Sequence, residues 1–225
     1  MRRLTLLSLL YAGNIPFACA QSTSNQFWPE IEGFYSFNPT LRLGLDASRS
    51  TDGISYDSIS VGPTLNLFAK RFVKPVLATP NEAKKNWLVF GVGYRYIAGI
   101  NQAPESQGQL DFAPQFPLPL GIQASDRNRI DLRFVEGSNF SWRYRNRLNL
   151  QRTFKVHRLV FSPYAQVEVY YNIIPGSWNK QAYQFGSDFP FGKRFDLEIY
   201  CEHDHNVGST PYDVNALGVT AYIYF

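Results

Sequence analysis

The chain has few cysteines, a single methionine and no long hydrophobic run. Its 225 residues include 2 Cys and 1 Met, which excludes a disulfide scaffold and, together with moderate Leu and Ala, is unlike a helical bundle. Beyond the first twenty residues, no stretch approaches about 18 consecutive apolar residues. We therefore predict no transmembrane helix.

Neither positive nor negative charge is in large excess. The formal net charge is +4, and it falls to +2 when the N-terminal leader is removed, because Arg2 and Arg3 leave with it. A nucleic-acid-binding surface would show a clustered basic excess, so we expect no nucleic-acid partner. Aromatic residues are abundant, with 14 Tyr, 18 Phe and 4 Trp. This abundance excludes disorder and favours an all-β protein.

The first twenty residues have the pattern of a signal peptide. The two arginines are followed by an apolar run over 4–11 and by the small-residue site Ala18-Cys19-Ala20, which predicts cleavage before Gln21. The alternative is a lipoprotein signal in which Cys19 is acylated. Both interpretations predict that the protein is exported. Residues 21–225 are then expected to form a single domain, in which Cys201 cannot form an intramolecular disulfide.

Polar and apolar side chains alternate with a two-residue period along much of the chain. Over 141–153, for example, Arg143 and Arg145 lie on one face and Trp142 and Tyr144 on the other. Such alternation indicates β-strands. An exported chain without staples or apolar helices is expected to be a closed transmembrane β-barrel, because closure satisfies all backbone groups in lipid.

Turn signals predict an antiparallel up-and-down barrel of about twelve strands, with ten as the alternative. The predicted strands are 27–37, 39–50, 55–69, 86–98, 108–116, 118–125, 128–136, 140–153, 160–173, 178–188, 193–204 and 214–225. An even count places both termini in the periplasm. Lys70 to Lys85 and Asp204 to Asp213 are then extracellular loops, and Ser125 to Asn128 and Pro190 to Lys193 are periplasmic turns.

Charged residues are concentrated on the faces that a barrel would turn inward. The basic members are Arg42, Arg95, Arg129, Arg133, Arg143, Arg145, Arg147 and Arg194. The acidic members are Glu30, Glu32, Asp46, Asp131, Glu168, Asp196, Glu198 and Glu202. Because the two sets balance, we predict a lumen crossed by ion pairs and largely filled. The alternative for Arg143, Arg145 and Arg147 is an anion-binding stripe in a pore; pairing with Glu168 and Glu198 is favoured.

Two patterns of aromatic residues also suit an outer-membrane barrel. The chain ends with Tyr222, Ile223 and Phe225, which resembles the C-terminal signal by which barrel-assembly machinery recognises its substrates; the alternative is an ordinary terminal strand. Aromatics near strand ends are expected to mark the lipid interfaces. These are Phe27, Tyr35, Phe37, Trp87, Tyr96, Tyr164 and Tyr171.

A longer set of residues resembles a known family. The residues that carry the resemblance are Trp142 to Leu148, Pro163-Tyr164, Glu168, Tyr171-Asn172, Trp178-Asn179 and Gly186, preceded by Trp28 and by Asp126 to Ile130. This set resembles the bacterial outer-membrane barrel family called domain of unknown function 2490. Ala182 departs from the pattern, since the family tends to have Arg shortly before the glycine. The resemblance implies an outer-membrane barrel and carries no catalytic residue.

The main candidate for a metal-binding or catalytic site is the run Glu202 to Asn206. His203 and His205 share one face of a strand, but a third metal ligand is not evident. Some outer-membrane lipid A deacylases use His and Ser two residues apart, and here that serine is missing. Cys201 is expected to be an inert lipid-facing residue. We therefore predict no metal, no cofactor, no catalytic residue and no enzymatic activity.

The resulting hypothesis is an integral outer-membrane barrel with a structural or small-solute role. Its expected partners are outer-membrane lipid, lipopolysaccharide and, during insertion, the barrel-assembly machinery; the oligomeric state is left open. Two alternatives are an outer-membrane enzyme acting on lipid or lipopolysaccharide and a soluble periplasmic β-sandwich that binds a ligand.

Overall fold

The computed structural model describes residues 23–52, 55–100, 102–208 and 211–225. The predicted signal peptide, including Cys19, lies outside the described residues, as does Ser209. The strands are β1 (Thr23–Asn38), β2 (Leu41–Asp52), β3 (Ser55–Arg71), β4 (Asn86–Gly99), β5 (Glu105–Leu118), β6 (Ile122–Val135), β7 (Ser141–Arg152), β8 (Phe154–Val156), β9 (Leu159–Asn172), β10 (Ser177–Phe191), β11 (Phe195–Asn206) and β12 (Asp213–Tyr224). Short 3-10 turns occupy Glu82–Lys85 and Pro119–Gly121.

The strands form one sheet that closes on itself. Consecutive strands pair antiparallel, except that the three-residue β8 forms a small hairpin with the start of β9, and β7 pairs with β9 directly. The remaining eleven strands close into a barrel because β1 pairs in parallel with β12, from Thr23 beside Asp213 to Phe34 beside Tyr224. The all-β barrel prediction is confirmed. The sandwich alternative is wrong, since a sandwich needs two separate sheets.

The barrel has an odd number of strands, one fewer than predicted, because two stretches predicted as separate strands form a single strand. The predictions 118–125 and 128–136 fall within a single strand, β6, and Ser125 to Asn128 is not a turn. The two-residue alternation of β6 continues through this stretch, with Ser125, Arg127 and Arg129 bordering the lumen. The chain instead turns at Leu120 and Gly121, whose φ angles are 64° and 73°.

An odd count changes which connections share an end of the barrel. Residues 72–85, described below as the plug, connect β3 to β4. We call the end of the barrel that contains them the plug end and the opposite end the far end. Thr23 lies at the far end and Phe225 at the plug end, so the prediction of both termini on one side is wrong. Residues 72–85 and the β11–β12 connection lie at opposite ends, whereas the β10–β11 turn shares the plug end with 72–85.

The wall of the barrel is apolar outside and charged inside. Leu45, Val92 and Phe185 face outward and are 58%, 61% and 65% exposed, whereas Asp131 and Glu168 face inward and are 0% and 2% exposed. This segregation follows from the two-residue period of each strand. The described residues contain no helix with the length and hydrophobicity of a membrane-spanning helix.

Candidate functional site

The most densely bonded part of the lumen surrounds Glu168. This carboxylate on β9 accepts hydrogen bonds from Arg145 at 2.9 and 3.1 Å and from Arg147 at 3.0 and 2.7 Å, both on β7. Arg127 on β6 donates to the same carboxylate at 3.0 Å. The hydroxyl of Tyr170 adds a further hydrogen bond at 3.1 Å. Three guanidinium groups therefore share one nearly inaccessible carboxylate.

Further arginines of the same side each have their own carboxylate. Arg129 forms a two-pronged ion pair with Asp111 at 2.7 and 2.8 Å. Arg143 bonds Asp131 at 3.0 and 2.9 Å. At the far end, Arg133 pairs with Glu105, with one hydrogen bond of 2.8 Å. Paired guanidinium and carboxylate groups in this geometry offset much of the cost of removing the charges from water.

Two members of the predicted charge network lie elsewhere. Glu198 does not pair with the arginine ladder; it accepts hydrogen bonds from the hydroxyls of Tyr164 and Tyr222. Tyr164 is therefore buried in the lumen and is not an interfacial aromatic, which corrects that prediction. Arg194 is exposed in the turn before β11, since the strand begins only at Phe195, and the prediction that it faces the lumen is wrong.

Residues 72–85 connect β3 to β4; Val73 is 98% exposed, whereas the part from Leu77 onward folds back into the barrel. We call residues 72–85 the plug. Its Phe72 and Leu77 are 5% and 4% exposed, as in a hydrophobic core. The side chain of Asn81 accepts a hydrogen bond of 2.8 Å from Arg42 of β2, and Thr79 donates one of 3.3 Å to Asp196 of β11.

The backbone of the plug is also bonded to the wall. Gln115 of β5 donates to the carbonyl of Ala83 at 2.7 Å, and Gln123 of β6 donates to the carbonyl of Lys84 at 2.9 Å. Together with the contacts to β2 and β11, these bonds reach strands all around the barrel. The plug is therefore bonded to β2, β5, β6 and β11 at this end of the lumen.

The ion pair of Lys84 with Asp188 of β10 is the plug's charged anchor. Burial by itself lowers the pKa of Lys84, but the nearby carboxylates of Asp188 and Glu198 outweigh it and raise the pKa above 10.5. The ammonium group therefore stays charged at neutral pH. The neighbouring Lys85 differs, because it pairs with Glu82 within the plug at 2.8 Å.

Between the plug and the far end lies a polar chamber of about 420 Å³. One side of its lining is rich in arginine, including Arg127, Arg129, Arg145 and Arg147. The opposite side presents Glu30, Glu32, Glu198 and Glu202, together with Trp28 and Tyr200. Among the described residues, no group of three or more His, Cys, Asp or Glu side chains is arranged to hold a metal ion. The chamber suits a small solute held through charge and hydrogen bonds.

Sequence reasoning missed several residues of this site, among them Asp111 and Asp188, which pair with Arg129 and Lys84. Arg127 falls in a predicted turn, although the alternation from Gln123 through Arg129 is a signal that places it inside. Glu105 precedes the predicted strand 108–116. Lys84 lies in a segment without periodicity, and no sequence signal indicated that this segment enters the lumen.

The predicted outward-facing residues lie on the outer face of β11. Cys201 is exposed. His203 and His205 bond neighbours on β12 through Nδ1, to Asn215 at 2.8 Å and to Asp213 at 2.9 Å. In the predicted assembly signal, Tyr222 points to the lumen, while Phe225 is 71% exposed at the plug end.

One polar cluster interrupts the apolar outer surface halfway along β6 and β7. Asn146 donates hydrogen bonds to Asp126 at 2.6 Å and to Asn128 at 3.2 Å, and Tyr144 donates to Asn128 at 2.5 Å. The cluster satisfies its own hydrogen-bonding groups, which reduces the cost of placing them in an apolar environment.

Comparison with known proteins gives one result. No curated protein and no solved structure matches the chain. The family model described as "Protein of unknown function (DUF2490)" matches residues 25–215. Because this match spans well over half of the 225 residues, the chain belongs to the DUF2490 family, whose function is unknown.

Proposed function

We propose that the protein is an integral barrel of the bacterial outer membrane whose lumen holds a small charged solute and is kept closed by the plug. The observation that carries this proposal is the folding of the plug into the lumen from Leu77 onward, where it is bonded to β2, β5, β6 and β11. An open pore would need a continuous water-filled path. Here the plug occupies one end of that path, and a polar chamber is left on its inner side.

The membrane location is supported by the outer surface. Large apolar side chains stand outward on strands around the barrel, including Leu43, Leu67, Leu110, Leu148, Val167, Ile199 and Leu217, each at least 38% exposed. A soluble barrel of this size would face water with polar residues. We therefore propose outer-membrane lipid and lipopolysaccharide as the surrounding partners, with insertion by the barrel-assembly machinery and export through the predicted signal peptide.

The location has a direct test. The full chain is expressed in a bacterium and membranes are separated on a density gradient. We expect the protein in the outer-membrane fraction and a change of gel migration between unboiled and boiled samples, because closed barrels resist detergent without heating. A protein that remains in the soluble periplasmic fraction without detergent would contradict the proposal.

The closed state of the lumen is tested by planar-bilayer conductance. We expect the wild-type barrel to show little steady conductance and Lys84→Met to increase channel openings, because it removes the plug's ion pair with Asp188. Lys85→Met is the matched control, since the partner of Lys85 among the described residues is Glu82, inside the plug. Steady conductance of the wild type, or equal effects of the two substitutions, would show that the plug does not close the lumen.

A further inference from the structure

The hairpin formed by β8 and the start of β9 combines aromatic rings with positive charge. Phe154 and Phe161 are paired across it, and their ring centroids lie 5.8 Å apart. Lys155 and Arg158 lie in the stretch between them and are exposed. The guanidinium group of Arg152 lies over the ring of Phe154, 4.9 Å from its centroid. Cations are thus held beside and beyond a pair of rings at the plug end.

The next hairpin around the barrel repeats this construction. Phe191 ends β10 and Phe195 begins β11, and their ring centroids also lie 5.8 Å apart. Lys193 and Arg194 lie in the turn between them and are exposed. We call the ends of the two hairpins, which comprise Lys155, Arg158, Lys193 and Arg194, the basic tips.

The two basic tips border one shallow basin. Its volume is about 620 Å³, and its lining includes Arg158 from one tip and Lys193 from the other. The tips are neighbours because β9 pairs with β10. The plug forms a further side of the basin through Thr79 and Lys85. Cations from separate parts of the chain therefore converge on a space that suits an anionic group.

The four cations of the basic tips have no counter-charge of their own. Among the described residues, no carboxylate forms an ion pair with any of them. The carboxylate that lines the basin, Glu82, is already paired with Arg71 at 3.1 Å and Lys85 at 2.8 Å. In the lumen, by contrast, Arg129 and Arg143 are bonded to carboxylates. The basic tips therefore present positive charge that an external anion can neutralise.

The phenylalanine rings of the two hairpins belong to a girdle of aromatic side chains around the plug end. Further exposed members on other strands are Tyr35, Phe37, Phe116 and Phe225. In a transmembrane barrel, such a girdle marks the boundary between hydrocarbon and headgroups. Lysine and arginine just beyond that boundary reach the headgroup phosphates. The girdle thus indicates that the anion facing the basic tips belongs to a lipid.

The far end of the barrel has no comparable charge. No lysine or arginine occurs in its connections, which are 53–54, 100–104, 136–140, 173–176 and 207–212. Lysine and arginine in the connections are therefore confined to the plug end. A surface that served solubility alone would carry mixed charge at both ends. The one-sided distribution favours contact with an anionic layer.

We propose that the basic tips form a binding site for the phosphate headgroup of an anionic lipid in the surrounding membrane. The phosphate lies in the basin between Arg158 and Lys193, and Lys155 and Arg194 extend the positive surface around it. The acyl chains of the lipid lie along the outward-facing phenyl rings. Because the attraction is electrostatic, it weakens as salt screens the charges.

The experiment uses the full chain refolded into two kinds of vesicle. One contains equal amounts of phosphatidylethanolamine and phosphatidylglycerol, and in the other lipopolysaccharide replaces phosphatidylglycerol. The barrel is extracted in mild detergent, and native mass spectrometry measures the lipids that it retains. We expect at least one of the two anionic lipids to be retained about 10-fold more than zwitterionic phosphatidylethanolamine at low salt. This preference should be largely lost at about 1 M salt, where the Debye length is about 3 Å.

Charge-removing variants locate the site. Lys193→Gln combined with Arg194→Gln should lower retention of the anionic lipid about 10-fold, and the corresponding double variant of the other tip should behave alike. The matched control is Lys70→Gln combined with Lys74→Gln, which removes the same charge from exposed positions of the plug end outside the basin. The control should have little effect. Equal retention of anionic and zwitterionic lipid, or equal losses for tip and control variants, would overturn the proposal.

This site rests on the proposed membrane location, and the same samples test that separately. Flotation with the vesicles and heat-dependent gel migration show whether each variant is inserted and closed. An inserted, closed barrel without preference for anionic lipid overturns the site alone. A barrel that does not insert contradicts the proposed location, and the same variants are then compared for binding of short-chain phosphatidylglycerol in detergent. Binding that the tip variants leave unchanged there also overturns the site.

Discussion

On the side of the lumen formed by β5, β6, β7 and β9, which we call the arginine side, carboxylates are bonded to arginines. On the side formed by β11, β12 and β1, which we call the tyrosine side, Glu198 is bonded to tyrosine hydroxyls and Glu30 lies 3.9 Å from Arg95. Glu168 illustrates the first side, with three guanidinium groups around it. Glu198 illustrates the second, with two tyrosine hydroxyls. On the arginine side every carboxylate is therefore bonded to arginine, and positive charge is in excess. Six arginines (Arg127, Arg129, Arg133, Arg143, Arg145 and Arg147) share four carboxylates (Glu105, Asp111, Asp131 and Glu168). The tyrosine side retains carboxylates that border the chamber.

The contrast suggests a division between stability and binding. Ion pairs in the arginine side hold neighbouring strands together and leave few groups free for a ligand. In the tyrosine side, Glu30 and Glu202 line the chamber beside Trp28 and Tyr200. Changes on the first side should affect the free energy of unfolding, while changes on the second should affect what the chamber holds.

The largest effect is expected for Glu168→Gln. The substitution keeps the size of the side chain but leaves Arg127, Arg145 and Arg147 without their shared counter-charge. Removing one partner of a buried ion-pair cluster costs about 3–5 kcal/mol. Urea unfolding of the refolded barrel, followed by tryptophan fluorescence, measures the change. A loss below about 1 kcal/mol would contradict the structural role given to this cluster.

A smaller but clear loss is expected for Gly218→Ala on the tyrosine side. The ring of Tyr200 lies over Gly218, and a Cβ added there would come within 1.9 Å of its Cζ. The ring would have to move, and such overpacking costs about 1–3 kcal/mol. The double substitution Gly218→Ala with Tyr200→Ala removes the clash, and it should be less destabilised than the sum of the two single changes.

The smallest effect on stability is expected for Glu202→Gln, the same chemical change on the tyrosine side. Since no arginine is bonded to Glu202 in the part of the chain that the structure describes, the free energy of unfolding should change by no more than about 1 kcal/mol, the size of a single hydrogen bond. The exposed Arg194→Ala serves as a reference for a change outside the lumen. Equal losses for Glu168→Gln and Glu202→Gln would remove the distinction between the two sides.

The sequence was sufficient for the strands and insufficient for the plug. Alternation predicts β7 and its inward Arg143, Arg145 and Arg147, because each strand has one face in the lumen. The plug has no such period, and its partners lie far away in the chain: Asn81 bonds a residue 39 positions away and Thr79 one 117 positions away. Local patterns cannot indicate contacts that only the closed barrel creates.

Strand boundaries were the other source of error. The turn predicted within β6 placed Arg127 outside the lumen and added one strand to the predicted number. The number of strands decides which connections lie at the same end of the barrel. A single misplaced turn therefore moved the predicted loops to the wrong sides. Inward-facing residues such as Arg145 and Glu168 were still predicted on the correct face, whereas Tyr164 and Arg194 were not.

The parallel pairing of β1 with β12 has a consequence for how the chain folds. Every other barrel pairing joins strands that are near neighbours in sequence and can form as local hairpins. The pairing of Thr23 with Asp213 instead joins the two extremes of the described chain, and it bears the loop-closure entropy of nearly its full length. We expect this pairing to form last. Until it does, β1 and β12 are open sheet edges, and these are the edges at which a second unfinished chain would add.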